Sequence, residues 1–491
     1  MELRQVLRGI EWTGGVGLTD TDITGVVCDS RKVRRGSLFV CIRGYTTDGH
    51  RFAAQAAEQG AAALVVDRPV DGVLIPQCVV RDTREALALV SRNFYDDPCG
   101  RMSVIGVTGT AGKTSISFLF RHLMETAGKT TGLIGPVANI VRGMASFSVR
   151  STPEANDLLA LLDEMASTGT SNAVMEVSSQ GIRMGRIDGC SFSTGVFSNL
   201  YSDFVGMTDP PTFREAFDSK IHFARLCRHI VVNRDAEHAE AFLARLNKPA
   251  LTYGLNANAD IRAEALTVEW RGGRCGTRFM CRSPWYEGEI FVGLPGRFHV
   301  SNALAALTCA ALAGVDPGKV VAAFAQGTVP GCMEPVEAPP GIGAYVDTAR
   351  NPQTLERMLI ALRVYSTGRV TVVFGCDGNT SASTRAAMGR VAALGADKVV
   401  LVPDNPYLEN PSAITKDIEA GFPEGKGRPV LCDDRAAGIR TAVAGMRAGD
   451  SVVVAGKGHR KYQMYASRTE VFNDVEHLRQ AFADLRKDTS E

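Results

Sequence analysis

A chain of several α/β domains, the central one built on a largely parallel sheet, is predicted by three observations. Short apolar runs alternate with helix-length patterns along the chain. The runs Ala173-Val-Met-Glu-Val177, Thr194-Gly-Val-Phe197 and His229-Ile-Val-Val232 have the apolar, β-branched character of strands covered on both faces. The run Val104-Ile-Gly-Val107 then passes through the turn Thr108-Gly-Thr-Ala-Gly112 into Lys113-Thr-Ser115, giving strand, turn and helix start in succession. With 491 residues and 45% hydrophobic side chains, the chain exceeds one core and can fill roughly two to four.

Residues 1–100 form the first expected unit. Ser37-Leu-Phe-Val-Cys-Ile42 and Ala63-Leu-Val-Val66 read as its strands, and Phe52 to Gln59 as an alanine-rich helix. Asp29-Ser30-Arg31 and the group Gly44, Asp48, Gly49 and His50 have the composition of ordinary turns. Pro98 and Gly100 close the unit. The second, residues 101–331, places helical patterns at Glu154 to Met165 and Phe213 to Leu226 between its strands, so ligands are expected at the strands' carboxyl ends. A hinge at Val329-Pro-Gly331 leads into the third, residues 332–491. Its strands are expected at Ala344-Tyr-Val346, Val370-Thr-Val-Val-Phe374, Lys398-Val-Val-Leu-Val402 and Ser451-Val-Val-Val454, each followed by a loop with glycine or Asp/Asn.

The stretch Gly109 to Ser115 has the chemistry of a nucleotide phosphate cradle. Glycines let backbone N–H groups converge on phosphate oxygens, Lys113 neutralises charge, and Thr114 can reach a phosphate-bound Mg²⁺. Its spacing departs from the common pattern, because Val107 stands at the usual first glycine and Gly106 lies one residue earlier. Glu176 interrupts an apolar strand just before Ser178 and Ser179; a buried carboxylate there requires a cation, either a metal or an arginine. Lys220, taken alone, reads as a surface lysine of a helix.

Lys plus Arg is 54 against Asp plus Glu at 53, so no overall field recruits nucleic acid or an anionic membrane, and small molecules are the expected partners of a monomer. Twelve scattered cysteines lack zinc-ligand spacing and read as reduced, mostly buried thiols. The N-terminal Met-Glu-Leu-Arg-Gln is no export signal, and no apolar run spans a bilayer, so a cytoplasmic location is expected.

Several stretches together resemble the Mur ligases, most closely the MurE type that adds the third amino acid to UDP-N-acetylmuramoyl-dipeptide. They are Asp29-Ser-Arg31 with Gly36-Ser-Leu-Phe-Val40 and Asp48-Gly-His50, the loop Thr108-Gly-Thr-Ala-Gly-Lys-Thr114, Ser151-Thr-Pro-Glu-Ala-Asn156, Met175-Glu-Val-Ser-Ser179, Asp404-Asn-Pro406, and Ala455-Gly-Lys-Gly-His459 with Tyr462-Gln463. The resemblance implies a three-domain α/β architecture with a central P-loop domain and a C-terminal Rossmann-like domain. It also implies ATP and Mg²⁺, with phosphoryl transfer to a carboxylate followed by attack of an amine on the acyl phosphate.

By position, Gly109, Thr110, Ala111, Gly112, Lys113, Thr114 and Ser115 would hold the phosphates, with Asn302 and Asp347 as further nucleotide contacts. Thr114, Glu176 and a carbamylated Lys220 would serve the metals, which makes Lys113, Glu176 and Lys220 the implied catalytic residues. Ser30, Thr46, Ser151, Thr152, Ser178 and Arg186 match the UDP-sugar side, and Arg385, Asp404, Asn405, Tyr407, Gly456 and Arg460 the incoming amino compound.

The departures from the family pattern are concentrated at these sites. Ala111 replaces an asparagine, Pro136 a threonine, Gln180 a histidine, and Phe204 a metal-serving histidine. In the third domain Cys332 replaces an arginine before Met-Glu. Asp347-Thr-Ala-Arg350 stands for Asp-Tyr-Ala-His, with Arg350 a candidate catalytic replacement for the lost cations, and the loop Gly375 to Arg385 has lost most of its charge, only Arg385 surviving from its basic end. Tyr407 takes the place of the arginine that reads diaminopimelate's carboxylate, and Arg460 that of a glutamate, which inverts the charge offered to an amine. The expectation is an ATP-dependent amide ligase with an altered substrate, not diaminopimelate or lysine. Alternatives are the ordinary UDP-N-acetylmuramoyl-tripeptide synthetase of peptidoglycan synthesis and a catalytically silent homologue with a nucleotide-binding, regulatory or scaffolding role.

Overall fold

The computed structural model describes residues 1–14, 21–44, 47–148, 150–200 and 212–488. The chain divides into two compact units, Met1–Ile261 with Ala305–Asp316, and Arg262–Leu304 with Pro317–Glu491. The α/β reading holds throughout, and the three-domain architecture is visible as successive sheets.

In the first unit, strands Gly25–Val27, Ser37–Val40, Ala63–Val66 and Gln77–Val79 form a parallel four-stranded sheet in chain order. The second sheet of this unit has Ser103–Thr108 at its centre, parallel to Phe192–Phe197 on one side and Asn172–Glu176 on the other. Cys227–Asn233 and Leu251–Gly254 extend it in parallel beyond Phe192–Phe197, and Thr131–Ile134 beyond Asn172–Glu176. The central strands are buried along nearly their whole length, which explains their continuous apolar character. Gly106 allows a close approach by the covering helix Phe213–Arg225, since a Cβ there would lie 2.6 Å from Phe223 Cζ.

The helices expected at 154 and 213 form at Ala155–Ser167 and Phe213–Arg225. At residue 52 the helix is shorter than expected: a 3₁₀ turn Gly49–Phe52 precedes Ala53–Glu58, because Asp48 caps the backbone N–H of His50. Asn139–Val141 and Met144–Ser146 add an antiparallel ribbon that sequence periodicity did not reveal.

The second unit contains a parallel sheet in the order Gly343–Asp347, Ser451–Ala455, Val370–Phe374, Lys398–Leu401, Val430–Leu431. All four strands expected in this region are present. Unanticipated was a long antiparallel set, Ile261–Arg271, Arg274–Arg282 and Glu287–Val292. Charged residues alternate along it and pair across it: Arg278 with Glu269 at 3.0 Å and Glu289 at 3.3 Å, Arg271 with Glu289 at 3.1 Å, and Arg282 with Glu264 at 3.0 Å and with Glu287.

All twelve cysteines are free, and most are buried. Among the described residues, no helix is long and apolar enough to cross a membrane.

The loops at the carboxyl end of the second unit's sheet are fixed from inside. The fully buried Arg435 guanidinium donates to both Asp474 oxygens, at 2.7 and 2.8 Å, and to the carbonyls of Ala455 and Pro403 at 3.0 and 3.3 Å. One cation thus ties two helices to the ends of two strands. Asp474→Ala leaves that charge unpaired and is expected to lower stability by about 3–5 kcal/mol, read as a fall in the urea midpoint at unchanged slope.

Candidate active site

The strand Ser103–Thr108 delivers the glycine loop to the carboxyl end of the sheet. Gly109 has φ +144°, and a Cβ there would sit 2.0 Å from Ser198 Oγ, so the turn admits glycine alone. Gly112, also at positive φ, precedes the helix Lys113–Thr126. Backbone and side-chain hydrogen bonds brace the loop against the neighbouring strand end. Ala111 N donates to Asn199 Oδ1 at 2.9 Å, while Ser198 Oγ and Asn199 Nδ2 donate to Ala111 O at 2.6 and 3.1 Å. Ala111 takes part through its main chain only, so this brace does not depend on its side chain. Lys113 Nζ curls back to the carbonyls of Gly109 at 2.7 Å and Thr110 at 3.3 Å, acceptors that phosphate oxygens would replace.

Glu176 ends the adjacent strand with 2% exposure, and its Oε1 accepts a 2.6 Å hydrogen bond from Thr114 Oγ1. Burial pushes its carboxyl above the usual range, against the opposing pull of Lys113 and Thr114. Sequence reasoning required a metal or an arginine beside it; the protein cation found there is Lys113. A hydroxyl and a carboxylate are hard oxygen donors, and Mg²⁺ bound chiefly through phosphate and water takes few protein ligands. Thr114 Oγ1 and Glu176 Oε1 supply donors of that kind, 2.6 Å apart.

Lys220 is not a surface residue. It is 4% exposed on the helix Phe213–Arg225, and its Nζ donates to Ser179 Oγ at 2.7 Å. Phe197, Phe217 and Phe242 line the same recess. Burial, with the Lys113 charge adding to it, lowers its ammonium to about 7. A neutral, nucleophilic amine is therefore accessible far below the pH at which an ordinary lysine loses its proton.

Of the residues that the resemblance matched to a UDP-sugar, Thr152, Ser178 and Arg186 are brought together. Thr152 Oγ1 donates to Glu176 O at 3.0 Å and shares a 3.1 Å hydrogen bond with Ser178 Oγ, and Arg186 Nη1 donates to Thr152 O at 3.2 Å. Ser151 is adjacent and half-buried. Ser30 opens a 3₁₀ turn capped by Asp29, within the four-stranded domain. Thr46 and Phe204 lie outside the described residues.

Sequence reasoning missed Glu154, which meets Arg186 at 3.0 Å, Arg150 at 3.1 Å and Arg84 at 3.4 Å. Three guanidiniums around one carboxylate leave positive charge over, with Arg186 Nε buried and unpartnered. Glu154 stands inside the quoted Ser-Thr-Pro-Glu stretch and was a readable signal; Arg84, remote in sequence, had none.

In the second unit Asn302 is buried on the helix Arg297–Leu312. Asp347 ends its strand with both carboxylate oxygens accepting backbone N–H groups, from Ala349 and Met333, each at 2.8 Å; burial raises it to about 6. Lys457, fully buried, donates to Asp404 Oδ1 at 2.9 Å and Asn405 Oδ1 at 3.1 Å, joining the two quoted motifs. Gly456 is required there, because a Cβ would lie 2.4 Å from Asp404 Oδ2. Arg460 Nη1 pairs with Asp377 at 3.2 Å, a partner the sequence did not suggest. Tyr407 adopts φ +52° beside this group. Arg385 is spent elsewhere: its two terminal nitrogens meet Glu409 at 2.7 Å and Asp417 at 3.0 Å.

The Mur ligase middle-domain model matches residues 107–310, the Mur ligase glutamate ligase domain 331–458, and the Mur ligase family catalytic domain 22–95. A UDP-N-acetylmuramoyl-L-alanyl-D-glutamate–2,6-diaminopimelate ligase of Caldanaerobacter subterraneus is 33% identical, covering 99% of this chain and 100% of its own. A UDP-N-acetylmuramyl-tripeptide synthetase of Roseiflexus is 37% identical over 99% of each. A solved structure of a diaminopimelate ligase of that kind matches 99% of both chains at 28% identity with TM-score 0.75. The ADP complex of the MurF ligase of Thermotoga maritima, at 18% identity and TM-score 0.61, covers 95% of this chain and 99% of its own and shares the fold.

Lys113→Met removes the charge that helps depress Lys220. The Lys220 ammonium is then expected to titrate above 7 yet below its ordinary 10.5, because burial persists, in an NMR titration of ¹³C-methylated lysines.

Proposed function

The chain belongs to the Mur ligase family, and from that membership and its site geometry we propose that it joins an amine to a UDP-muramoyl-peptide-like carboxylate through an acyl phosphate. It is an ATP-dependent ligase; the finer assignment of acid and amine is the proposal. One observation carries it. The loop lysine, the helix-start hydroxyl and the strand-end carboxylate meet at one point, with Thr114 Oγ1 at 2.6 Å from Glu176 and Lys113 adjacent in charge.

Backbone N–H groups from Gly109 to Ser115 would line the phosphates while Lys113 leaves its loop carbonyls to neutralise them. Thr114 and Glu176 would hold Mg²⁺, which supplies charge neutralisation on the transferred group. Thr152, Ser178 and Arg186 would hold the UDP-sugar part of the acceptor, whose carboxylate oxygen takes the γ-phosphoryl group as ADP leaves. The amine nitrogen then forms the C–N bond, phosphate departs, and the amine loses a proton. A neutral Lys220 is able to take up CO₂ as a carbamate, the role that the resemblance implies. Asn302 and Asp347 enter through the resemblance alone. The domain limits 1–100, 101–331 and 332–491, a cytoplasmic location and a monomeric state belong to the same proposal.

The amine is proposed to differ from diaminopimelate, because Tyr407 and Arg460 alter its subsite. The ordinary tripeptide synthetase is the second reading, favoured by the names of full-length relatives.

The test is ADP release from UDP-muramoyl peptides with a panel of amines, products identified by mass spectrometry. Turnover that depends on one acid and amine pair is expected, and Lys113→Ala should lower it by at least about a hundredfold. Nucleotide binding without ADP formation across the panel would instead support a silent homologue. Lys220→Ala should also lose turnover, with partial rescue by formate or acetate. In ¹³C-bicarbonate the wild type should give a carbamate resonance that grows as pH rises through about 7.

A further inference from the structure

One arginine links the four-stranded domain of the first unit to the turn that carries Thr152. Arg84 stands in the first turn of the helix Thr83–Phe94, where Asp82 caps the helix by accepting from the Arg84 backbone N–H at 2.7 Å. That helix shares an apolar cluster with the strands of the four-stranded sheet, through Leu87 and Val90 against Leu38, Val40 and Val65. From this fixed start the Arg84 side chain, 17% exposed, reaches three separate segments. Nε and Nη2 donate to the Arg43 carbonyl at 3.1 and 3.0 Å, just beyond the strand Ser37–Val40. Nη1 donates to the Met184 carbonyl at 3.2 Å and meets Glu154 at 3.4 Å.

These contacts differ in what depends on them. Glu154 has closer partners in Arg186 at 3.0 Å and Arg150 at 3.1 Å, so it stays paired without Arg84. The two carbonyls are held more closely than the carboxylate, and they belong to different domains. A planar guanidinium can fix several acceptors in one geometry, which an ammonium on a flexible stem cannot. A continuous run of polar contacts results: the Arg43 carbonyl, Arg84, Glu154, Arg186, and the Thr152 carbonyl at 3.2 Å from Arg186. It joins the domain that carries Ser30 to the group Thr152, Ser178 and Arg186, the two halves of the site that the resemblance matched to a UDP-sugar. Another ion pair between the same domains, Lys32 with Asp157 at 2.8 Å, has members 52% and 41% exposed, where water and salt weaken it.

We propose that Arg84 is a positioning residue for the acceptor: it fixes the spacing between these two halves, so that a molecule held by both is bound in one geometry. Arg84 acts through the two carbonyls and Glu154, without touching the substrate. The assignment rests on the ligase reading above and adds to it a determinant of acceptor affinity that no motif contains.

The experiment measures ADP release against UDP-N-acetylmuramoyl-L-alanyl-D-glutamate with the productive amine of the panel above. Arg84→Ala should raise KM for this acceptor about tenfold, with kcat and KM for ATP unmoved. Arg84→Lys should recover only part of the loss, since one ammonium cannot span all three segments. Lys32→Ala, which breaks the exposed ion pair, should leave KM unchanged. In a double-mutant cycle with Ser30→Ala the cost of Arg84→Ala should shrink, because one of the two aligned halves is already lost.

An unchanged acceptor KM in Arg84→Ala overturns the proposal and leaves the ligase reading standing. So does an equal rise in KM for ATP, an equal loss in Lys32→Ala, or full additivity with Ser30→Ala. Should Arg84→Ala fail to fold, Arg84→Lys is read alone by the same measurements. If no acceptor releases ADP, the ligase reading fails, and calorimetric titration with the same UDP-linked dipeptide decides the positioning role by itself. Binding that Arg84→Ala weakens supports it; binding that is unaffected, or absent in the wild type, rejects it.

Discussion

The structure turns on a carboxylate that has no good reason to be buried. Glu176 lies at the end of a strand covered on both faces, and its hydrogen bond from Thr114 and the nearby Lys113 charge only partly offset the loss of water. Its surroundings are organised around that deficit. The loop glycines bring Lys113 within reach, Ser198 and Asn199 fix the loop's height, and the aromatic side chains around Lys220 keep solvent out. Taken together, two lysines and a glutamate sit at the carboxyl end of one sheet, and burial makes the charged form of each more costly than in water. Such a site is poised for an incoming polyanion and its metal, because those charges complete a balance that the folded chain leaves open.

The second unit solves a related problem in a different way. Its buried cations are satisfied internally, Arg435 by Asp474 and Lys457 by Asp404 with Asn405, so its loops are held without help from a ligand. Rigidity here comes from paired charge and from glycines that let backbone approach a carboxylate closely. Polar atoms without a hydrogen-bond partner remain at His459 Nδ1, at Arg385 Nε and at both ring nitrogens of the fully buried His299.

How much of this could be read from residues depended on the range of the signal. Parallel strands were legible because burial on both faces makes each a short continuous apolar run, and the glycine loop because turn, lysine and hydroxyl are contiguous. The Asn139–Val141 ribbon and the long antiparallel set from Ile261 were not anticipated; in the latter, alternating Arg and Glu make strand residues look like loop. Lys220 looked exposed because its neighbours in sequence are polar. Its burial comes from Phe197 and Phe242, distant in the chain. The reversal of charge at Arg460 was plain, yet its partner Asp377 lies in a loop whose losses, rather than its gains, drew notice. Arg385 was singled out as a surviving basic residue, whereas Glu409 and Asp417 give it a structural occupation that no spacing rule encodes.

The paired charges on the antiparallel set have a consequence for how the chain behaves among copies of itself. Glu287–Val292 lies at a sheet border, where unpaired backbone donors and acceptors normally invite a foreign strand. Arg271, Arg278 and Arg282 with Glu287 and Glu289 decorate that border, and a newcomer would have to dehydrate these ions while offering nothing better. The border is thereby made unattractive to aggregation without spending any hydrophobic burial on covering it. Because this protection is electrostatic, it belongs to the conditions as well as to the fold: added salt weakens it.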